Sequence, residues 1–138
     1  MRWIVVDASV VLASLFKDGS VRDILLNTED VTFFGPSYIA GEVERHLSEV
    51  AERAGLPRVT VEPVLADVLS AIELVPPGVY SFALGEARNL AARARAKGDE
   101  DYIALALALE APIWTLDNDF RRVPQIRALA TGDVRRLL

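Results

Sequence analysis

The chain has 138 residues, 51% of them hydrophobic, a formal net charge of −5, no cysteine and one histidine, His46. That length fits one domain able to bury about two-thirds of its unfolded surface, so a single domain over residues 1–138 is expected. The composition excludes disulfides, thiolate metal sites, cysteine nucleophiles and a multi-histidine zinc centre within the chain.

No apolar run approaches the roughly 20 residues that span a bilayer. The start, MRWIVVDASVV, has too short an apolar part, and meets its acid too early, for a signal peptide. A cytoplasmic protein with no membrane partner is the expectation. The negative charge speaks against a nucleic-acid partner, unless the acids gather around cations that reverse the local field.

Residues 2–6, RWIVV, form an apolar, β-branched run that predicts a buried strand. Residues 9–16 predict a short helix with Ser9 as N-cap. A polar break with Gly19 precedes a helix over 21–27. Residues 31–35 predict a second strand, stopped by Gly35-Pro36. Ser37 then caps a long helix to about Ala54, whose Ile39, Val43, Leu47 and Val50 keep helical spacing. Gly55-Leu56-Pro57 ends it. A helix over 61–72 carries Pro63 in its first turn. A short strand at 74–75 precedes the Pro76-Pro77-Gly78 turn. Residues 80–97 predict a helix closed by Gly98. Residues 99–110, DEDYIALALALE, predict a helix buried on most sides. Residues 112–116 predict a further strand, 127–130 another, and 133–137 a terminal helical turn. This order predicts an α/β fold, a three-layer α/β/α sandwich around a mostly parallel sheet.

In such a sheet ligands bind at the carboxyl ends of the strands. Asp7 ends the first strand and Asp117 ends the strand over 112–116. Asp99 opens the buried helix, near its positive end. Glu42 lies in the first turns of the long helix. Singly, each acid has an ordinary explanation: Asp7, Asp99 and Asp117 as caps, Glu42 as a solvated helix residue, Asp101 and Asp119 as surface or capping residues. Four of them nevertheless fall where the sheet would bring them to one edge. Carboxylates about 4 Å apart repel by roughly 4 kcal/mol at an effective dielectric of 20, so such a cluster needs protons or a cation. Oxygen-only ligands favour Mg²⁺ or Mn²⁺. Such ions can activate water and steady the departing oxygen of a phosphodiester, with no protein nucleophile.

The opening VVDASV, a glutamate at the head of a helix, and DEDYIALALALEAPIWTLDNDF together resemble the PIN-domain family. Within it they are similar to the VapC-like ribonucleases of prokaryotic toxin–antitoxin systems and their stand-alone relatives. The resemblance covers the whole chain, and its most specific part runs from Asp99 to Phe120. It implies a nuclease whose Mg²⁺ or Mn²⁺ is held by Asp7, Glu42, Asp99 and Asp117, with RNA as substrate, an antitoxin protein as possible partner and a homodimer as assembly. It implies a hydroxyl at Ser9 that holds a metal-bound water or a phosphate oxygen. Asp101 competes with Asp99 for one role, and the spacing to Asp117 favours Asp99. Glu44 competes with Glu42, which better fits the family pattern. Asp119 is a candidate outer ligand beside Asp117. Lys17, Arg45, His46, Arg121 and Arg122 are candidate phosphate contacts, whereas Arg88, Arg93, Arg95 and Lys97 form a more dispersed cluster.

A different class of function competes with this one. A binding module of the same fold would act through a protein partner, with residues 21–26 and 64–72 as its apolar surface. A phosphoryl-accepting receiver domain is disfavoured, because no lysine follows Lys97. A dinucleotide site is disfavoured by the lack of any G-x-G-x-x-G.

Overall fold

A computed structural model describes residues 2–96 and 98–138. Lys97, the expected end of the fifth helix, lies outside the described residues. The elements run β1 (Arg2–Val6), α1 (Ala8–Phe16), α2 (Ser20–Asn27), β2 (Val31–Pro36), α3 (Ile39–Ala54), α4 (Arg58–Ser70) and β3 (Ile72–Val75). They continue with α5 (Pro77–Tyr80), a 3-10 turn (Ser81–Ala83), α6 (Leu84–Ala94), α7 (Glu100–Leu109) and β4 (Ile113–Trp114). A second 3-10 turn (Asn118–Arg122), β5 (Ala128–Leu129) and α8 (Thr131–Leu137) complete the order.

All strand pairings are parallel, in the order β3-β2-β1-β4-β5. β1 is central, and its Ile4, Val5 and Val6 are buried, as expected for a parallel strand covered on both faces. From β1 the chain works outward through β2 and β3, then returns to lay β4 and β5 on the other side. The strand order therefore reverses between β1 and β4, and a crevice opens at the carboxyl ends of such a pair. Helices α1 to α4 pack on one another, and α7 packs on β1, β2 and β4 with α5 and α6 beside it. These are the outer layers of an α/β/α sandwich.

The helices follow their apolar periodicity more faithfully than their expected caps. α3 buries Ile39, Val43, Leu47 and Ala51, spaced four apart along one stripe. It ends at Gly55, whose φ of 69° needs a residue without a Cβ penalty. Its start differs from expectation. The Ser37 N–H donates to the Val75 carbonyl at 2.8 Å, which holds Ser37 in a turn, and Tyr38 becomes the N-cap without a side-chain cap bond. α1 likewise starts one residue early, at Ala8, because the Asp7 carboxylate accepts from the Val10 N–H at 3.2 Å and so displaces Ser9 as the cap.

α4 begins at Arg58, right after Pro57, which leaves Pro63 inside the helix instead of in its first turn. Pro63 is exposed, so water can satisfy the carbonyl it leaves unbonded. Ile72 belongs to β3, paired with Phe33, and not to the helix. The continuous helix expected over 80–97 is broken into α5, a 3-10 turn and α6, which closes at Arg95 in the left-handed region. Tyr80 explains the break: its ring is fully buried and its hydroxyl donates to Asp101 Oδ2 at 2.6 Å, fixing this corner to α7. Residues 21–26 and 64–72 send Ile24, Leu25, Leu65, Val68 and Ile72 into the core, so most of their apolar surface is spent on folding. Among the described residues no helix is long and apolar enough to cross a membrane.

Candidate active site

Strand β1 delivers Asp7 to the carboxyl edge of the sheet, where both oxygens of its buried side chain are engaged. Oδ1 accepts from the Ser9 hydroxyl at 2.5 Å and from the Val10 N–H at 3.2 Å. Oδ2 accepts from the Thr115 hydroxyl at 2.5 Å. A carboxylate offers about four lone-pair directions, so Oδ2 keeps one for a further partner. Burial pushes the Asp7 carboxyl above its ordinary range, while the Ser9, Thr115 and Val10 hydrogen bonds pull it down. Asp117 pushes it up a little more.

Strand β4 ends one residue before Thr115. The Thr115 N–H still bonds the Leu129 carbonyl at 3.1 Å, so the chain stays extended and its side chain turns back under Asp7. The same hydroxyl accepts from the Asp117 N–H at 2.9 Å. Ser9 mirrors this on the other side, donating to Asp7 and accepting from the Leu116 N–H at 3.1 Å. Two hydroxyls thus stitch the ends of β1 and β4 together and hold Asp7 and Asp117 at one edge. Ser9, expected to hold a water or phosphate oxygen, spends its single proton on Asp7.

Asp7, Glu42, Asp99 and Asp117 line one cleft of about 300 Å³, together with Ser9, Leu12, His46 and Tyr102. Asp99 precedes α7 as its N-cap but makes no side-chain cap bond, so its carboxylate is not consumed by the helix. Burial, then the charges of Asp7, Asp117, Glu42 and Asp119, push its carboxyl up to about 7. Glu42 is also raised, first by burial, whereas Tyr38, Arg45 and His46 draw it back and Asp7 adds a further push. None of these four acids belongs to an ion pair among the described residues, whereas Glu49, a fifth acid lining the cleft, is bound by Arg53.

The competing acids lie elsewhere. Asp101 turns to Tyr80. Glu44 is bound by Arg58 of α4. Asp119 donates its N–H to Asp117 Oδ1 at 3.0 Å and does not line the cleft, though its charge reaches Asp99.

The bases divide too. His46 lines the cleft, and the exposed Arg45 acts on Glu42 through its charge. Arg53 lines the cleft one stretch further along α3, bound to Glu49 at 2.6 Å. Arg121 and Arg122 are exposed on the turn after Asp117, and the charge of Arg121 is felt by Asp133. Lys17 lines a separate cavity with Ser20 and Thr131, away from the acids it was expected to serve. Sequence reasoning missed Thr115, Tyr38, Tyr102 and Arg53. Only Thr115 had a signal, a lone hydroxyl two residues before an acid at the end of an apolar strand.

In a parallel α/β sandwich the switch point is where ligands bind, and here it carries four acids without ion pairs. A family model for the PIN domain matches residues 5–130, and the chain belongs to the PIN-domain family. Among solved structures, it is similar to VapBC2 from Rickettsia felis, crystallised bound to a DNA fragment from its promoter. The TM-score is 0.70 at 17% identity, over 94% of this chain and 98% of that one. It is also similar to PAE2754 from Pyrobaculum aerophilum, with a TM-score of 0.68 at 18% identity, over 97% of this chain and 88% of that one. No curated protein matches the chain in sequence.

Proposed function

We propose that the chain is a divalent-metal-dependent endoribonuclease, the toxin of a toxin–antitoxin pair, with Asp7, Glu42, Asp99 and Asp117 holding Mg²⁺ or Mn²⁺. The observation that carries this reading is the cleft itself: Asp7, Glu42, Asp99 and Asp117 line one cavity without an ion pair, Glu49 beside them is bound by Arg53, and burial together with the neighbouring acids raises Asp99 to about 7. Such a site stores repulsion that a cation relieves. The donors are all oxygen, which suits a hard ion.

Among the described residues no group of three His, Asp or Glu side chains stands, as oriented, ready to hold one ion. Mg²⁺ fits that arrangement, because it is usually gripped by one or two carboxylates and keeps several waters. Asp7, Glu42, Asp99 and Asp117 would hold it, directly or through its waters. When bound, the ion lowers the pKa of a water and stabilises the charge that builds on a departing phosphodiester oxygen.

The chain's own residues perform the rest. Thr115 and Ser9 fix the rotamer of Asp7. Thr115 also fixes the backbone that presents Asp117. Asp99 is the carboxyl whose proton leaves in the neutral range. His46 and Arg53 line the same cleft and offer N–H donors to a phosphate backbone.

The likeness to a toxin–antitoxin complex supports an antitoxin protein as partner, and the same reading includes pairing with a second copy of the chain. The test is cleavage of a labelled single-stranded RNA in Mn²⁺, by wild type, Asp7→Asn and Asp99→Asn. Wild-type cutting that EDTA stops, and that both folded variants lack, is the expected result. Variants that cut as well as wild type would overturn the site.

A further inference from the structure

Tyr102 lies three residues after Asp99 on α7 and is 1% exposed. Its ring is fixed by packing, 5.7 Å from the Tyr38 ring and edge-on to Phe120 at 6.4 Å. The side chain forms part of the wall of the acidic cleft, beside Asp7, Glu42 and Asp99.

Its hydroxyl is the one buried side-chain polar atom, among the described residues, with no hydrogen-bond partner. The Tyr38 hydroxyl lies beside it but outside hydrogen-bonding geometry. Buried hydroxyls are normally paired with protein or ordered water, and those of Ser9 and Thr115 at the same edge are paired. A phenylalanine would pack the same space without an orphaned donor. Among the described residues Tyr38 brings the only neighbouring hydroxyl that acts on it, short of full hydrogen-bond geometry, so the proton is free for an acceptor outside the chain. The charges of Glu42 and Asp7 bear on this hydroxyl, so an anion is disfavoured there and a neutral water is suited.

We propose that Tyr102 is a positioning residue: its hydroxyl donates to a water in the hydration shell of the divalent cation, fixing that water between Asp7 and Glu42. This rests on the metal-binding reading above.

The test is Tyr102→Phe, compared with wild type by calorimetric Mn²⁺ titration and by thermal melting in EDTA and in saturating Mn²⁺. Tyr80→Phe serves as control, because it removes a phenol paired with Asp101 away from the cleft. Tyr102→Phe should melt in EDTA at or above the wild-type temperature, since it removes an unpaired buried group. Its Mn²⁺ affinity should fall about tenfold or more, as loss of an outer-shell partner does, and its Mn²⁺-induced rise in melting temperature should shrink. Tyr80→Phe should melt lower in EDTA and bind Mn²⁺ as wild type does. An Mn²⁺ affinity within twofold of wild type, or a lower melting temperature in EDTA, overturns the role of Tyr102. If wild type itself binds no Mn²⁺, the metal reading and this inference fall together.

Discussion

Asp99→Asn should stabilise the cation-free protein relative to wild type, by an amount that grows with pH. The folded-state carboxyl of Asp99 is raised to about 7 from an ordinary 3.8, first by burial and then by Asp7, Asp117, Glu42 and Asp119. Between those two values the folded chain binds the proton more tightly than the unfolded chain does. Stability is therefore lost as pH rises through this window and is level above it, opposite to a salt-bridged aspartate. From pH 5 to pH 7 the linkage amounts to about 2 kcal/mol for a fully buried group. Asp99 is only half-buried, and solvent screening leaves about 1–2 kcal/mol. The asparagine carries no charge at either pH. The gap in melting temperature between variant and wild type should thus widen by about 3–6 °C from pH 5 to pH 8 for a domain of this size. Thermal melts in EDTA at the two pH values measure it. A gap that is constant, or that narrows with pH, would refute the claim that these acids repel one another in the fold.

Asp117→Asn should weaken Mn²⁺ binding about tenfold or more, and Asp119→Asn much less, because only Asp117 lines the cleft; parallel titrations compare them. Thr115→Val leaves the Asp117 N–H and one Asp7 oxygen without their partner. It should lower unfolding stability by about 1–3 kcal/mol, read as a lower denaturant midpoint at unchanged slope. Gly55→Ala should lose about 1 kcal/mol from its left-handed conformation alone, since nothing lies within 4 Å of the added carbon; a melt 3–4 °C lower is expected.

Much of this fold is written locally. The apolar runs at β1 and β2, and the spacing of Ile39, Val43 and Leu47, announce their elements because burial demands those patterns. The departures come from contacts distant in sequence. The break after Tyr80 depends on a hydroxyl reaching Asp101, 21 residues on. The shift of the α1 cap depends on Asp7, whose other oxygen is held by Thr115, 108 residues away.

The candidate site divides along the same line. Chain order and strand ends suffice to gather Asp7, Asp99 and Asp117. The hydroxyls of Ser9 and Thr115 that orient them form a network no local pattern announces. Tyr102 carries no local signal of a role, because only the folded chain places it on the cleft beside Asp7, Glu42 and Asp99. Lys17 was misplaced because a basic loop residue near Asp7 in sequence faces α2 and α8 in space.

Uptake of a divalent cation by the four acids at the switch point is the core of the proposed function. Its most direct measurement is a calorimetric titration of wild type with Mn²⁺ near pH 6.5, in two buffers of different ionisation enthalpy. The account predicts saturable binding whose heat differs between the buffers, because the proton on Asp99 is released as the cation enters. Absence of binding at millimolar Mn²⁺ would contradict it and leave a fold that acts through a protein partner alone.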